Sequence, residues 1–391
     1  MKLKIAIVVH GRFHAFDLAR ELINQGHDVT LLTNYPKKFV EKFDIPQEFV
    51  KTFLLHGIFT RVIQKLHAVL GISNFEYIVH SEFSKWAARN LINDKYDVIH
   101  VFSGVAEEIF QAMSDKRGLK CLVRGSAHIR TQFKILSEEE KRAGVTVDKP
   151  SKWMISREER EYQLADLVIV LSNFAKQSFI DQDITPAKIK VLPLGTQLVK
   201  FRPIQQVIAE RCHRIISQLP LHVLMVGTFS YRKGAIDFVN ISELGSTNFR
   251  FKFVGTVTSE ASHLAKASEN IEFIPKQEQF ELPKFYAWAD IFIFTTIEDG
   301  YAVVLSQAQA NGLPIITTTN CSGSDIVIEG KTGWVLPIRS PEIFVERLNW
   351  CHENRQELAQ MVRELYQEFQ PRDWAEVATD FVHISTGILK E

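Results

Sequence analysis

The sequence predicts an α/β protein built from two doubly wound units that face each other across a cleft. Short apolar runs typical of buried parallel strands alternate with amphipathic segments of helical period along most of the chain. The pattern begins at Lys4 and begins again at Leu221, so the chain repeats one architecture. Its 391 residues are enough for two domains of ordinary size, each with its own core.

The composition excludes several classes of protein. Lysine plus arginine and aspartate plus glutamate number 46 each, so no net charge draws the chain to nucleic acid. No apolar run reaches the roughly 18 residues of a membrane span, and the run from Ile5 to Val9 lacks a signal-peptide cleavage site. The cysteines are far apart, which indicates neither a disulfide framework nor a zinc site and fits a reducing cytoplasm. They are Cys121, Cys212, Cys321 and Cys351.

The first unit opens with a βαβ pattern. Lys4 to Val9 is predicted to be a strand, Ala15 to Asn24 an amphipathic helix, and His27 to Thr33 the next strand. Gly11 lies in the first loop, but the fingerprint G-x-G-x-x-G is missing there. Its absence disfavours a nicotinamide oxidoreductase, the class of enzyme that would otherwise explain the doubled α/β pattern.

Residues 50–93 carry apolar side chains at helical spacing, with basic residues between them. We favour a helical layer that covers the sheet, with its charges in water. The alternative is a surface that faces an acceptor or touches a membrane, as basic amphipathic helices can.

Polar residues follow the strand predicted at Leu119 to Val123. This segment, Arg124 to Arg130, contains His128 and comes at the carboxyl end of a parallel strand, where open α/β sheets bind ligands. Trp153 to Leu164 is predicted to be a helix, and Ala165 to Ser172 a strand that leads into another helix. The segment that ends at Pro203 completes the first domain, residues 1–203.

The second domain, residues 204–372, begins with a polar helix from Gln205 to Ser217 and a strand from Leu221 to Val226. Gly227 follows the strand, and Arg232 and Lys233 precede the next helix. A glycine, two cations and a helix N-terminus form a suitable cradle for a diphosphate. The alternative is that Arg232 and Lys233 have no binding role and are solvated at the tip of a loop.

The stretch from Ile291 to Ile316 reads as strand, acidic turn, helix and strand. The turn contains Glu298, Asp299 and Gly300, and the helix that begins at Val303 ends near Gly312. Such a turn lies where ligands bind in this type of sheet. An acidic residue at the start of a helix is also common without any function, because the helix dipole favours it.

These segments, in unbroken order from Lys4 to Trp374, resemble the retaining glycosyltransferases of family 4, which have the GT-B fold. Asp299, Tyr301, Ala302 and Gln307 fall on the family pattern E-x-F-G-x-x-x-x-E, and Gly312 begins its G-x-P-V-I. Both acidic positions depart from the pattern, and Thr228 stands where the family has an arginine. The resemblance implies two Rossmann-like domains, the first on the acceptor side and the second binding the nucleotide sugar. It also implies a C-terminal helix, residues 373–391, that crosses back onto the first domain.

The resemblance also implies an activity: transfer of a sugar from a UDP- or GDP-sugar to a saccharide, lipid-linked or small-molecule acceptor, with retention of anomeric configuration. Asp299 and His128 would contact the transferred sugar as catalytic residues. Residues expected to bind the donor are Gly11, Gly227, Arg232, Lys233, Lys276, Glu298, Gly300, Tyr301, Ala302, Val303 and Gln307. Gln307 would hold the ribose, since an amide can still bind a diol. No cofactor and no metal ion is expected, and the lone D-x-D, Asp181 to Asp183, lies outside the donor domain.

Two alternatives share this fold. A non-catalytic sugar-nucleotide-binding protein would explain the degenerate positions Thr228, Asp299 and Gln307. A nucleotide-sugar epimerase would need acid–base groups in the cleft. We expect a cytoplasmic location, and a peripheral contact with the inner face of the membrane stays open.

Overall fold

The protein contains two parallel β-sheets, each with helices on both faces, as seen in a computed structural model. The structure describes residues 2–60, 75–115, 117–196, 198–245, 247–368 and 372–390. The predicted α/β architecture of two doubly wound units is confirmed.

The first sheet has seven parallel strands in the order β3-β2-β1-β4-β5-β6-β7. They are β1 (Lys4–Val9), β2 (Asp28–Thr33), β3 (Val50–Thr52), β4 (Val98–Phe102), β5 (Leu119–Arg124), β6 (Leu167–Val170) and β7 (Ile189–Val191). Along β1, Ile5 and Ile7 pack into the core on one face and Ala6 and Val8 into the core on the other. Burial on both faces explains why these strands are continuous apolar runs.

The second sheet has six parallel strands in the order β10-β9-β8-β11-β12-β13. They are β8 (Leu221–Phe229), β9 (Phe249–Val257), β10 (Ile271–Pro275), β11 (Ile291–Phe294), β12 (Ile315–Thr318) and β13 (Gly333–Leu336). In each sheet the strand order reverses beside the strand that comes first in the chain. Ligands bind at the carboxyl ends of the strands at such a switch point, so the loops after β1, β4, β8 and β11 are placed for function.

Helices connect the strands in both halves. In the first half they span Ala15–Asn24, Lys37–Val40, Glu76–Leu91, Glu107–Ala112, Ile129–Ala143, Lys152–Leu164, Asn173–Ile180 and Leu198–Phe201. In the second they span Gln205–Ile216, Ala235–Leu244, Ser262–Ala267, Leu282–Trp288, Val303–Ala310, Gly323–Ile326, Pro341–Glu353, Arg355–Glu368 and Trp374–Ile388. Serine caps fix two of the starts, because Ser151 Oγ accepts from the N–H of Met154 and Ser172 Oγ from that of Ala175.

The helical layer predicted over residues 50–93 is confirmed only in part, because Val50–Thr52 is the edge strand β3. Residues 54–60 are helical, and Glu76–Leu91 packs on the sheet through Phe83, Ala87 and Leu91. The rest of this prediction, residues 61–74, lies outside the described residues.

The last helix, Trp374–Ile388, packs on the first sheet. Asp373 and Glu376 form a capping box at its start, and Trp374 and Phe381 belong to the core on one face of that sheet. This is the position implied by the resemblance. The domain boundary at residues 203 and 204 stays a prediction.

The helix Ile129–Ala143, called the bridging helix below, joins the two halves. It follows β5 of the first sheet, yet Leu136 lies in the hydrophobic core of the second half. Val147, just after the helix, packs in the same core. The two halves are therefore joined by apolar packing in addition to the chain connection near residue 203.

Candidate active site in the cleft between the sheets

The carboxyl ends of β1, β4 and β5 face those of β8 and β11 across a cleft. A cavity of about 610 Å³ lies there, within the range of ligand pockets. The first half lines it with side chains that include Arg12, His14, Phe102, Arg124 and Ser126. The second half contributes Arg232, Lys233, Gln279, Asp299, Tyr301, Val303 and Gln307. Six of the expected site residues thus share one cavity wall.

Glu298 lies beneath this cavity and joins the two halves. Its carboxylate is 0% exposed and accepts from the backbone N–H of Ala127 (3.0 Å), from Gln132 Nε2 (3.0 Å) and from Arg232 Nε (2.8 Å). A buried carboxylate with three donors is satisfied by the protein itself. Glu298 therefore holds the site together, and its oxygens have little left to offer a ligand.

Asp299 has different surroundings. It lines the cavity, its Oδ2 lies 2.5 Å from Lys233 Nζ, and its Oδ1 accepts from the N–H of Tyr301 (3.1 Å). Burial alone would raise the pKa of Asp299, but Lys233 and Arg232 outweigh it and hold the pKa below its usual value. For Lys233, burial lowers the pKa and Asp299 opposes that shift. The pair is charged and open to the cavity.

A tight turn after β8 positions the two cations. Ser230 Oγ accepts from the N–H of Lys233, and residues Tyr231–Lys233 form a 3₁₀ turn. Gly234 follows at φ 74°, and a Cβ there would lie 1.9 Å from the carbonyl oxygen of Thr295, so only glycine fits. Arg232 also donates to Ser126 Oγ (2.9 Å) in the first half. The diphosphate cradle predicted after β8 thus opens toward the cleft.

The helix Val303–Ala310 begins at the cavity, where the N–H groups of its first turn lack acceptors within the helix. Gln307 lines the cavity, and its Oε1 accepts from the buried Tyr286 hydroxyl (2.8 Å). Tyr301 donates its hydroxyl to the carbonyl of Leu194 (3.0 Å) in the first half. The N–H of Ala302 donates to Ser322 Oγ (3.3 Å).

Six expected donor-binding residues do not line this cavity, and two of them, Glu298 and Ala302, are described above. Gly11 donates its N–H to Asn34 Oδ1 (2.9 Å). Gly227 has φ 145° within β8, and Lys276 is exposed after β10. A Cβ on Gly300 would lie 2.3 Å from the carbonyl oxygen of Gly125, so its role is a close backbone contact between the halves.

His128 is not placed where a catalytic residue would contact a sugar in the cleft. Its ring is 3% exposed and lies against Tyr162 and Phe179, with both centroid distances 4.9 Å. Its Nδ1 caps the bridging helix by accepting from the N–H of Arg130 (3.2 Å). Burial lowers the pKa of His128 to about 4, so the ring is neutral at pH 7. The histidine that lines the cavity is His14, in the loop after β1.

A polar chain that no sequence pattern indicated runs through the first half to the site. Arg124 Nε lies 3.0 Å from Glu158 Oε2, and Arg124 NH2 donates to Gln132 Oε1 (2.7 Å), which leads to Glu298. The polar segment after β5 pointed to this loop. Gln132 carried no signal, because its reach depends on how the bridging helix crosses to the second half.

A second cavity of about 1070 Å³ adjoins the first, with Arg232 and Lys233 on both linings. His10, His80 and Lys149 line it from the first half. Within the described ranges, no three His, Cys, Asp or Glu side chains are grouped to hold a metal ion. No helix in the same ranges is long and apolar enough to cross a membrane.

Family models match both halves of the chain. A model described as Glycosyltransferase Family 4 matches residues 12–199, and one described as Glycosyl transferases group 1 matches residues 216–368. The two matches divide the chain as the two sheets do.

Individual relatives are distant. An uncharacterized 41.2 kDa protein of the cps region of Klebsiella pneumoniae is 20% identical over 66% of this chain and 70% of its own length. A putative colanic acid biosynthesis glycosyltransferase, WcaL of Salmonella typhimurium, is 24% identical over 52% of each chain, so the match spans about half of that relative. The crystal structure of Anabaena HepE with UDP and glucose aligns with a TM-score of 0.71 at 14% identity, covering 98% of this chain and 100% of that one. That likeness identifies the fold.

Proposed function

The chain belongs to the family 4, group 1 glycosyltransferases with the GT-B fold, and we propose that it transfers a sugar from a nucleotide-sugar donor to an acceptor with retention at the anomeric carbon. One observation carries the proposal: Lys233, Asp299 and Gln307 line a single cavity together with the start of the helix Val303–Ala310. A cation and a helix N-terminus suit a diphosphate, a carboxylate suits the hydroxyls of a sugar, and an amide suits a ribose.

The donor is proposed to lie on the second-half wall of the cavity. Its diphosphate would face Lys233, Arg232 and the first-turn N–H groups near Val303, where the helix dipole favours negative charge. Gln307 would hydrogen-bond the ribose while Tyr286 fixes its Oε1. HepE, which has the same fold, was crystallised with UDP and with UDP-glucose. We therefore propose a UDP-sugar as the first donor to test.

The chemistry needs stabilisation of the leaving nucleoside diphosphate. Charge develops on it as the glycosidic bond breaks, and preorganised cations in a partly dry cleft stabilise that charge more than water does. Lys233 is paired with Asp299. When the donor binds, Lys233 would turn to the diphosphate, and Asp299 would be released to accept hydrogen bonds from the sugar hydroxyls. We propose that no metal ion is required.

The geometry of the site also bears on the two alternative functions, a nucleotide-sugar epimerase and a non-catalytic binding protein. An epimerase would need a general acid and base at the sugar, whereas His128 is buried as a helix cap. A non-catalytic sugar-nucleotide-binding protein would have the same donor-binding residues, so only a measurement of turnover distinguishes it from an enzyme. We propose a cytoplasmic location, with a peripheral membrane contact if the acceptor is lipid-linked.

The test is acceptor-dependent release of nucleoside diphosphate. UDP- and GDP-sugars are first screened by thermal shift, since a ligand that binds only the folded state raises its stability. The stabilising donor is then incubated with acceptors, and both the nucleoside diphosphate and the glycosylated product are measured. A stabilising donor that yields no product with any acceptor would favour the non-catalytic alternative. Interconversion of two free nucleotide sugars would favour the epimerase.

A further inference from the structure

The first-half wall of the 610 Å³ cavity carries cations that lack carboxylate partners. Arg12, Lys42 and Lys200 line this wall, and none of them forms an ion pair with a carboxylate of the described residues. The cations of the opposite wall are paired, Arg232 with Glu298 and Lys233 with Asp299. The uncompensated positive charge therefore lies away from the donor side.

Arg12 is held in place by packing rather than by charge. Its guanidinium lies 4.3 Å from the ring centroid of Phe43, and its Nε is buried with no hydrogen-bond partner among the described residues. Asp17, on the same wall, accepts from Arg20 (3.0 Å) and so does not neutralise Arg12. Asp44 also lines the wall but is exposed to water. A guanidinium that is fixed by packing at a cavity wall and has no carboxylate partner among the described residues is suited to bind an anion.

An exposed aromatic ring stands beside these cations. Phe13 is 68% exposed, has φ 41°, and stacks on Phe102 with the ring centroids 5.7 Å apart. A bulky residue with positive φ is rare, because it strains the backbone, and such strain concentrates at binding sites. Phe13 and Phe102 together offer a flat apolar face at the mouth of the cavity, next to the polar groups that would orient a ligand.

The resemblance to family 4 implies that the acceptor lies on this half, and we propose that it carries a phosphate or diphosphate group bound by Arg12 and Lys42, with its sugar ring against Phe13. The inference rests on the proposed glycosyltransferase function and specifies its substrate class. It assigns the unpaired cations to the acceptor, because the donor diphosphate already has Arg232, Lys233 and a helix N-terminus on the opposite wall. A sugar phosphate and a lipid diphosphate-linked saccharide both present this chemistry.

The charge of the site can be tested without turnover. The donor side is filled with saturating nucleoside diphosphate, and inorganic pyrophosphate is then titrated while the melting temperature is followed. We expect a further rise for the wild type and for Lys190→Gln, an exposed lysine on β7 outside both cavities. Arg12→Gln and Lys42→Gln should lose most of that rise. A wild type without any further rise, or variants that keep it in full, would overturn the proposal.

Kinetics then separate acceptor from donor and one acceptor source from the other. Transfer is measured to a hexose phosphate, to a polyprenyl diphosphate-linked sugar and to an uncharged methyl glycoside. Loss of one charge-assisted contact should raise the acceptor KM about tenfold or more in Arg12→Gln and Lys42→Gln, with nucleoside diphosphate Kd within about twofold. The anionic acceptor with the higher kcat/KM identifies the source.

Two results would contradict the assignment in different ways. Equal use of the methyl glycoside and the anionic acceptors would mean that the acceptor is neutral, although the enzyme is a glycosyltransferase. If nucleoside diphosphate affinity in Arg12→Gln falls by as large a factor as the acceptor KM rises, Arg12 belongs to the donor site. By contrast, failure of the proposed function itself would appear as no product with any acceptor in the wild type.

Discussion

At the residue scale, the two cations on the donor side of the cleft are paired with carboxylates of the same half. Lys233 pairs with Asp299, and Arg232 pairs with the buried Glu298. The two pairs differ in consequence. Lys233 and Asp299 line the cavity, so a bound ligand can pair with either of them in place of the other. Removal of Arg232, by contrast, would leave the fully buried carboxylate of Glu298 without its cation. Lys233 is therefore the cleaner position for a test of diphosphate binding.

We predict that Lys233→Met weakens nucleoside diphosphate binding by roughly 1.5–3 kcal/mol, because one charge-assisted contact is lost. The pKa of Asp299 should rise at the same time, since Lys233 is the first of the groups that hold it low. Calorimetric titration with the nucleoside diphosphate measures the affinity. Lys266→Met, an exposed lysine of the same half outside both cavities, is the control. Equal affinity in Lys233→Met and the control would place the diphosphate elsewhere.

Substitutions at Asp299 and Gln307 should cause different defects, one in turnover and the other in nucleotide binding. If Asp299 holds the transferred sugar, Asp299→Asn should reduce turnover by roughly tenfold or more while nucleoside diphosphate affinity changes little. Gln307→Ala should instead weaken nucleotide binding by about 1 kcal/mol, because one neutral hydrogen bond is lost. Steady-state kinetics and calorimetry on both variants check this. The opposite assignment of the two defects would show that the register on the family pattern is wrong.

Side chains were predictable from the sequence where their direction follows from the strand they leave. Asp299 and Lys233 lie in the loops after β11 and β8, so the switch point of the sheet places them at the cleft. His128 also follows a strand, but it is the N-cap of the bridging helix, and its ring turns into the first half. Capping geometry of this kind depends on where a helix begins, which a sequence pattern fixes only to within a residue or two.

At the scale of elements, the bridging helix is the least predictable part of the fold. No sequence pattern indicated this helix, and its charged residue Glu139 is 0% exposed. Its carboxylate accepts from Arg339 Nε (2.8 Å) of the second half, and Arg142 donates to Asp237 (3.0 Å). Such pairs form only when the second half is in place, so local periodicity could not reveal them.

We predict that Glu139→Gln lowers the free energy of unfolding by about 2 kcal/mol. Removal of one partner from a fully buried ion pair destabilises a protein by more than this. Here Arg339 is partly exposed, so water screens part of the effect. A double-mutant cycle with Arg339→Gln, followed by urea unfolding, should show a coupling energy of about 1–2 kcal/mol.

Glu138 provides the matched control for that cycle. It is adjacent in sequence and pairs with the same Arg339 at 3.1 Å, but its side chain is 45% exposed. Glu138→Gln should change stability by less than about 0.5 kcal/mol. Equal effects of Glu138→Gln and Glu139→Gln would show that burial between the halves does not strengthen the Glu139 pair.

Strands were predictable in proportion to their burial and length. The central strands β1 and β11 have the bounds that their apolar runs predict, Lys4–Val9 and Ile291–Phe294. The edge strands β3 and β13 were missed. β3 has three residues, Val50–Thr52, and β13 has four, Gly333–Leu336. Short edge strands owe their pairing to the neighbouring strand more than to their own sequence.

At the scale of the whole molecule, the two halves use one architecture for two tasks. Both sheets reverse strand order beside their first strand, so the ligand-binding edges oppose each other. The second half brings the groups suited to a nucleotide sugar, and the first brings unpaired cations and aromatic rings. The bridging helix and the last helix, Trp374–Ile388, each pack on the half opposite to the one they follow in sequence. The doubling could be read from the sequence, whereas this exchange of helices depends on tertiary packing.

Buried histidines make the stability of the whole molecule depend on pH. Burial lowers the pKa of His10 and His100 to about 3 and that of His14, His80 and His128 to about 4. The unfolded chain binds protons at these groups below about pH 6.5, where the folded protein does not. The free energy of unfolding is therefore fully retained above pH 6.5 and falls as the pH drops from there toward 4.

His100 offers the clearest test of this dependence. Both of its ring nitrogens are buried without a hydrogen-bond partner among the described residues, and its ring lies between Phe102 and Phe381. His100→Leu should match or exceed wild-type stability at pH 7.5, because an unsatisfied polar group is removed. From pH 7.5 to 5 it should lose about 2 kcal/mol less than the wild type. Urea unfolding at both pH values measures this, with His383→Leu, an exposed histidine of the last helix, as the control. The same acid-induced loss in His100→Leu and the wild type would mean that His100 does not contribute to the pH dependence.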